Sequence, residues 1–191
     1  MIYCVDLDGT LSKGDMSLRA FVYLSIRNPL WIVKAAFYLL AKFGDRKLLK
    51  SKMNEHYKFK VEDLYFNEEL INFLKEVKND SLSKNSVYLI SGSSDEVVKK
   101  IAQKFTFFDG AFGSRVDVNL ISSNKLSFIK KMYPNQDLCY IGNSKADFKV
   151  WSGVQYGIVV SDKPSFIEEA KKHTEIIKVI SPKWSKITTF S

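Results

Sequence analysis

Ile2-Tyr3-Cys4-Val5-Asp6-Leu7-Asp8-Gly9-Thr10 is the stretch on which the reading of this 191-residue chain turns. Four apolar, β-prone residues stop abruptly at two carboxylates, a glycine and a hydroxyl. Carboxylates gain nothing from a buried sheet unless a cation or a hydrogen-bond network holds them. The pattern predicts a strand over 2–5 whose carboxyl end opens on a site, the place where open α/β sheets bind their ligands. Later segments must then supply partners for Asp6 and Asp8.

Two further apolar runs end in the same abrupt way. Val87-Tyr88-Leu89-Ile90 runs into Ser91-Gly92-Ser93-Ser94, and Leu138-Cys139-Tyr140-Ile141 runs into Gly142-Asn143-Ser144-Lys145-Ala146-Asp147. Shorter strands are expected around Ala111-Phe112, over 157–160 and over 176–180. Between them lie helical patterns. Asn67 caps a helix carrying Leu70, Ile71, Phe73, Leu74 and Val77, and Ser93 with Glu96 suggests a capping box for the next. Lys125 opens a helix that stops near Pro134; a turn follows over 148–151 and a helix over 164–173. Strands alternating with helices predict an α/β fold, a Rossmann-like doubly wound parallel sheet. The tail after residue 180 carries little signal.

Between the first strand and Asn67 there is no strand signal. Helices are expected over 16–27, over 29–43 with Pro29 in the first turn, and over 45–57. Arg27, Asn28, Pro29 and Lys34 interrupt the apolar residues well short of the ~18 that a membrane span needs. Residues 13–66 are therefore expected to form a small helical cap, packed rather than lipid-bound, on a core of residues 1–12 and 67–191.

Composition excludes little and directs somewhat. Hydrophobic residues make up 46% and charged residues 26%, ordinary values for a soluble globular chain. The 29 basic against 21 acidic residues leave +8, which favours anionic partners such as phosphorylated metabolites; a solubilising lysine background is the plainer reading. No basic block with interleaved aromatics occurs, so no nucleic-acid partner is expected. Cys4 and Cys139 lack metal-ligand spacing and lie in apolar runs, so they are expected buried and reduced, as in a cytoplasmic protein. Asp6 and Asp8 interrupt the N-terminal apolar run, so no signal peptide is expected. His56 and His173 are isolated and expected on helix surfaces.

In a parallel sheet all carboxyl ends share one edge, so Asp6, Asp8, Ser91, Gly92, Asn143 and Asp147 converge there, with Lys125 at a helix start. The chemistry this set suits is phosphoryl transfer. Oxygen donors can hold Mg2+ while leaving room for water and a phosphate oxygen. A hydroxyl, backbone amides and a lysine can cradle the remaining phosphate oxygens. One carboxylate can attack phosphorus and a second can move protons.

These segments, Asp6-Leu7-Asp8-Gly9-Thr10, Ser91-Gly92, Lys125 and Gly142-Asn143-Ser144-x-x-Asp147, stand in the order found in the haloacid dehalogenase superfamily of aspartyl-phosphate phosphatases. The chain resembles that family from Met1 to about Val160, and the helical insertion looks like the small cap of phosphoserine-phosphatase-like members. Asn67-Glu68-Glu69 and Ala146-Asp147-Phe148-x-Val150-Trp151 are also similar to phosphatase-like domains fused to polyprenyltransferases. The resemblance implies that Asp6 is nucleophile and metal ligand, and that Asp8 is general acid and base with its carbonyl on the metal. Thr10 would orient the first loop, Ser91 and the Gly92 amide would bind phosphate, and Lys125 would offset charge. Asn143 and Asp147 would complete a Mg2+ site. Asn143 departs from the family, which usually has Asp there; an amide coordinates without bringing charge. Asp8 favours a phosphomonoesterase over a dehalogenase, because only an alcohol leaving group needs its proton.

The expected function is Mg2+-dependent hydrolysis of a small phosphorylated metabolite, an amino-acid, amino-alcohol or sugar phosphate, through an aspartyl-phosphate. A lipid-linked sugar phosphate with some membrane association, and a weakened phosphate-binding module, are the alternatives. Nothing in the chain speaks to oligomeric state.

Overall fold

The computed structural model describes residues 1–41, 56–115 and 117–187. The helix expected over 45–57 falls almost wholly outside these residues. In chain order, strand β1 (Ile2–Val5) leads to helices α1 (Met16–Arg27) and α2 (Leu30–Ala41), then a 3-10 turn (Val61–Asp63) and β2 (Tyr65–Asn67). The chain continues as α3 (Glu68–Asn79), β3 (Ser86–Ser94), α4 (Asp95–Ala102), β4 (Gly110–Ser114), α5 (Ser123–Met132) and β5 (Leu138–Gly142). A 3-10 turn (Lys145–Asp147), α6 (Phe148–Trp151), β6 (Tyr156–Val160), α7 (Pro164–Lys171), β7 (Glu175–Ile180) and β8 (Trp184–Lys186) complete it.

Six strands form one parallel sheet in the order β4-β3-β1-β5-β6-β7. The inner strands alternate their side chains between two apolar layers, the period-two signature of a sheet covered on both faces, whereas the edge strand β7 is largely exposed. Tyr3, Val5, Val87, Leu89, Cys139, Ile141, Ile158 and Val160 point into one layer, where α3 and α4 contribute Leu70, Leu74, Val98 and Ile101. Cys4, Ile90, Tyr140 and Val159 point into the other, closed by Ile129, Val150, Trp151 and Ala170 from α5, α6 and α7. The Rossmann-like, doubly wound arrangement is that expected from the sequence.

β1 sits at the centre, with Val5 in register with Leu89 of β3 on one side and Ile141 of β5 on the other. The sheet winds outward in both directions from this strand, so β1 ends where the crossovers diverge. That is the crevice in which such sheets bind ligands.

The insertion leaves and re-enters the core through paired backbone. Lys13 N donates to Tyr65 O, and Asn67 N donates to Leu11 O, at 2.8 and 2.9 Å. Asp15 caps α1 by accepting from Leu18 N at 2.9 Å, and Asn28 ends α1 while its side chain accepts from Leu30 N at 3.1 Å to start α2. Asn28 is thus the cap between the two helices, and Pro29, whose carbonyl accepts from Ile32 N, enters the first turn of α2 as expected. They share a small cluster of Ala20, Leu24, Trp31 and Ala35, separate from the two sheet layers. Val61, Leu64 and Phe66 pack instead into the first sheet layer.

Two local readings need correction. β3 continues through Ser94, and α4 starts at Asp95 without a side-chain cap; the Ser93 hydroxyl is used elsewhere. The tail is not featureless: Trp184–Lys186 pairs antiparallel with Tyr65–Asn67. A three-residue strand falls below what periodicity can resolve.

Candidate active site

The loop after β1 folds back tightly. The amides of Thr10, Leu11 and Ser12 all donate to Leu7 O, at 3.3, 3.1 and 2.9 Å, and Gly9 N donates to Ser12 O at 2.8 Å. Gly9 has φ +76°, and a Cβ there would collide with the Asn143 amide nitrogen. Only glycine suits both demands. The turn leaves Leu7 and Leu11 fully buried, and brings Asp6 and Asp8 to a cavity of about 330 Å3.

Asp6 is 8% exposed and accepts from the Lys125 ammonium on Oδ1 at 2.6 Å. Its Oδ2 has no hydrogen-bond partner among the described residues. Lys125 is itself only 4% exposed, held at the third position of α5. Its ammonium also donates to Tyr140 Oη at 2.8 Å, and that hydroxyl donates to Asp147 Oδ1 at 2.7 Å. Asp147 Oδ2 in turn accepts from Asn143 N, Ser144 N and Ser144 Oγ, at 3.1, 2.8 and 2.8 Å. Gly142 makes room for this carboxylate: a Cβ there would come within 2.7 Å of Asp147 Cγ.

Asp8 is held differently. Its Oδ2 accepts from the hydroxyls of Ser93 (2.6 Å) and Ser91 (3.2 Å), and its Oδ1 from Met16 N (2.8 Å). Ser91 Oγ also accepts from Ser93 N at 3.0 Å. Every donor to this carboxylate favours its charged form, whereas burial opposes it.

The electrostatics follow from burial. Desolvation pushes the Asp6 carboxyl above the usual range; Lys125 works against the rise, and the charges of Asp147 and Asp8 add to it. Asp8 is also raised by burial, with the Ser93 hydroxyl and the Met16 amide opposing. Burial, then Asp147 and Asp6, keeps the Tyr140 phenol protonated far above its ordinary range. Among the described residues four carboxylates, Asp6, Asp8, Asp15 and Asp147, line the cavity with one ammonium, so it lacks positive charge.

Of the residues singled out in the sequence, Asp6, Asp8, Gly92, Lys125 and Asp147 line the cavity. Thr10, Ser91 and Asn143 stand one layer behind it. Thr10 Oγ1 donates to Asn143 Oδ1 at 3.1 Å, tying the β1 loop to the β5 loop, and Ser91 is spent on Asp8. The wall also contains Ser93, Ser122 and Ser144, with Gly14, Asp15 and Ser17 at the start of α1 and Leu120 and Ile121 opposite. Ser122 has φ 52°, a left-handed conformation of the kind that collects at functional sites. Ser93 was legible after the fact: it follows Ser91 by two on a strand, so both face the same way. Ser144-x-x-Asp147 likewise has capping-box spacing, and both reciprocal bonds are present. Tyr140 reads as core by alternation, and only its hydroxyl's surroundings mark it out. His56 lies edge-on to Trp31, and His173 stacks on Phe148, both away from the cavity.

No family model matches the chain. It is 23% identical over 180 residues to an uncharacterised protein, y4nM, of Sinorhizobium fredii; the match covers 94% of this chain and 34% of that protein. The chain thus spans about a third of the length of the curated relative it matches. Among solved structures, it is similar to a HAD-family hydrolase of Salmonella enterica serovar Typhi, with TM-score 0.62 and 14% identity over 92% of this chain and 66% of that one. Phosphoserine phosphatase in its apo form aligns with TM-score 0.61 and 19% identity, covering 94% and 92%. A phospho-aspartyl intermediate analogue of phosphoserine phosphatase aligns with TM-score 0.56 and 17% identity, covering 94% and 92%. At these identities the likeness is one of fold: the chain has the fold of the haloacid-dehalogenase-type hydrolases.

Proposed function

We propose that the chain is a phosphomonoesterase of the haloacid dehalogenase type that works through an aspartyl-phosphate. The observation that carries this reading is the buried Asp6–Lys125 pair, at 2.6 Å, beside a second carboxylate two residues on. A purely structural ion pair does not call for a cavity on its open side, nor for Asp8 at its edge. Asp6 Oδ attacks phosphorus, and the ester P–O bond breaks as the leaving oxygen takes a proton from Asp8. In the second half-reaction Asp8 removes a proton from water, water oxygen attacks phosphorus, and the acyl-phosphate P–O bond to Asp6 breaks. Lys125 offsets charge on Asp6 and on the phosphate oxygens, with Gly92 and Ser122 in the same cavity wall, while both donors of Ser93 are held by Ser91 and Asp8.

The residues present fit a Mg2+ ion. Their donors are hard oxygens, and the carboxylates of Asp6, Asp8, Asp15 and Asp147 about a single ammonium favour a further cation. Among the described residues no group of three or more His, Cys, Asp or Glu is placed to hold a metal ion, so a backbone carbonyl would have to serve beside the carboxylates. The free Oδ2 of Asp6 and the carbonyl of Asp8 would hold it, with Asp147 and, if it turned from Thr10, Asn143 as further oxygen donors. Both oxygens of Asp147 already accept hydrogen bonds, so its contribution is chiefly charge. When bound, the ion would polarise the phosphoryl group and neutralise charge developing on it.

Residues 13–66 are assigned as the cap, because its first turn brings Asp15 and Ser17 to the cavity rim and closure there would exclude water. A phosphorylated amino acid, amino alcohol or sugar suits the polar wall. The buried, unpaired thiols Cys4 and Cys139 suit a reducing compartment such as the cytoplasm. The test is a phosphate-release screen over such esters and a generic aryl phosphate, with and without Mg2+. Turnover that depends on Mg2+ and is lost in Asp6→Asn supports the reading. Phosphate binding without turnover of any ester sinks it in favour of a binding module.

One observation favours a lipid-linked phosphate instead. Leu18, Val22 and Ile26 on α1 and Leu30, Ile32 and Val33 on α2 are exposed by 47–78%, an apolar outer face on helices whose inner faces are apolar too. No helix among the described residues is long and apolar enough to cross a membrane. Co-sedimentation with anionic vesicles decides: a protein that stays in the supernatant removes this reading.

A further inference from the structure

We propose that Tyr140 is a positioning residue for this reaction, its hydroxyl fixing the Lys125 ammonium on Asp6 and the Asp147 carboxylate in its loop at the same time. The inference rests on the phosphatase reading of the site.

Tyr140 is fully buried in the sheet layer that faces α5, and its neighbours in the strand are apolar. A phenol in that position would ordinarily cost the layer a buried polar group. Here the hydroxyl is satisfied twice, accepting from Lys125 Nζ at 2.8 Å and donating to Asp147 Oδ1 at 2.7 Å. Its direction is thereby determined: Lys125 has only donors to offer, so the phenol's own proton goes to Asp147.

Trp151 touches both the backbone and the ring of this residue. Trp151 Nε1 donates to the Tyr140 carbonyl at 2.9 Å, and its indole meets the phenol edge-on at 6.2 Å. A lysine stem has four rotatable bonds. Without a second acceptor the ammonium could pair with Asp6 or with Asp147, which compete for it; a phenol bonded to Asp147 keeps the ammonium on Asp6. One hydroxyl thus links the end of β1, the start of α5 and the β5 loop, segments 119 and 22 residues apart in the chain (125 minus 6, and 147 minus 125).

The test is Tyr140→Phe, which keeps the ring and removes only the hydroxyl. With a generic aryl phosphate, kcat is expected to fall about 10- to 100-fold, the usual cost of losing a partner that orients a reacting or ligating group, while KM changes less. Calorimetric titration with Mg2+ alone is expected to show weaker binding as the Asp147 loop loosens. Wild-type kcat and Mg2+ affinity in a variant that merely melts earlier would overturn the proposal, since packing alone would then account for Tyr140. If the Phe variant folds poorly, Tyr140→Met supplies a flexible apolar replacement that also lacks the hydroxyl, and the same loss is required of it. Should the wild-type protein hydrolyse no ester, the reading of the site fails, but the link remains testable by unfolding. Tyr140→Phe and Lys125→Met must then be non-additive in stability, and strict additivity overturns the proposed bridge.

Discussion

The Ser93 hydroxyl donates to Asp8 Oδ2 at 2.6 Å, the shorter of two serine bonds to that oxygen. Ser91 and Ser93 lie on one face of β3, so the strand carries a ready-made clamp for a carboxylate that burial would otherwise neutralise. Ser93→Ala is expected to slow ester hydrolysis and to cost about 1.5–3 kcal/mol of stability, the range for a hydrogen bond to a charged group. Urea unfolding and steady-state kinetics measure both. A larger loss in Ser91→Ala would put the anchor at the longer bond instead.

Asp6→Asn removes the attacking oxygen's charge and leaves the buried Lys125 ammonium without a counter-ion. Hydrolysis should drop to background. Breaking a buried pair from one side costs about 3–5 kcal/mol, so the variant should also unfold at clearly lower urea. Retained turnover would refute attack by Asp6.

Gly9→Ala strains a backbone at φ +76° and drives a methyl into the Asn143 amide. Adding a side chain where φ is positive costs more than the ~0.4–1 kcal/mol that such a change gains elsewhere. The loss should appear in melting temperature and in activity together, because the Thr10–Asn143 bond between the two loops is displaced with it.

Mg2+ should stabilise the folded chain, since the clustered carboxylates of Asp6, Asp8 and Asp147 repel one another. At about 100 times its dissociation constant a ligand specific for the native state adds about 2.7 kcal/mol. Differential scanning fluorimetry with Mg2+ and then a chelator reads the shift, and an unchanged melting temperature argues against a cation at this site.

The thiols of Cys4 and Cys139 are both pushed up by burial, Cys4 to about 12 with Lys125 partly opposing. Native protein should therefore resist a thiol-labelling disulfide at pH 8, and denatured protein should react at both positions. An acid whose pKa is raised by folding ionises first in the unfolded chain. These thiols accordingly leave stability untouched below about pH 8.5 and erode it as pH rises beyond that value. Rapid labelling of the native protein would show that the sheet layers open readily.

Local sequence determined much here, for local reasons. The run 2–5 ending in Asp6, the apolar runs of β3, β5 and β6, and the cap at Asn67 each depend on residues a few positions apart, so apolar patterning and capping chemistry reveal them. The meeting of Asp6, Lys125 and Asp147 at one sheet edge was inferable too, because parallel strands must present their carboxyl ends together. The tertiary structure alone decided how that edge is wired. Ser93 clamps Asp8 while Ser91 stands behind it, Thr10 and Asn143 bond each other rather than the cavity, and the Tyr140 hydroxyl joins Lys125 to Asp147. Each of these turns on an ångström-scale competition among donors drawn from segments far apart in the chain. Sequence spacing says which groups arrive at the edge, and packing selects which of them bond.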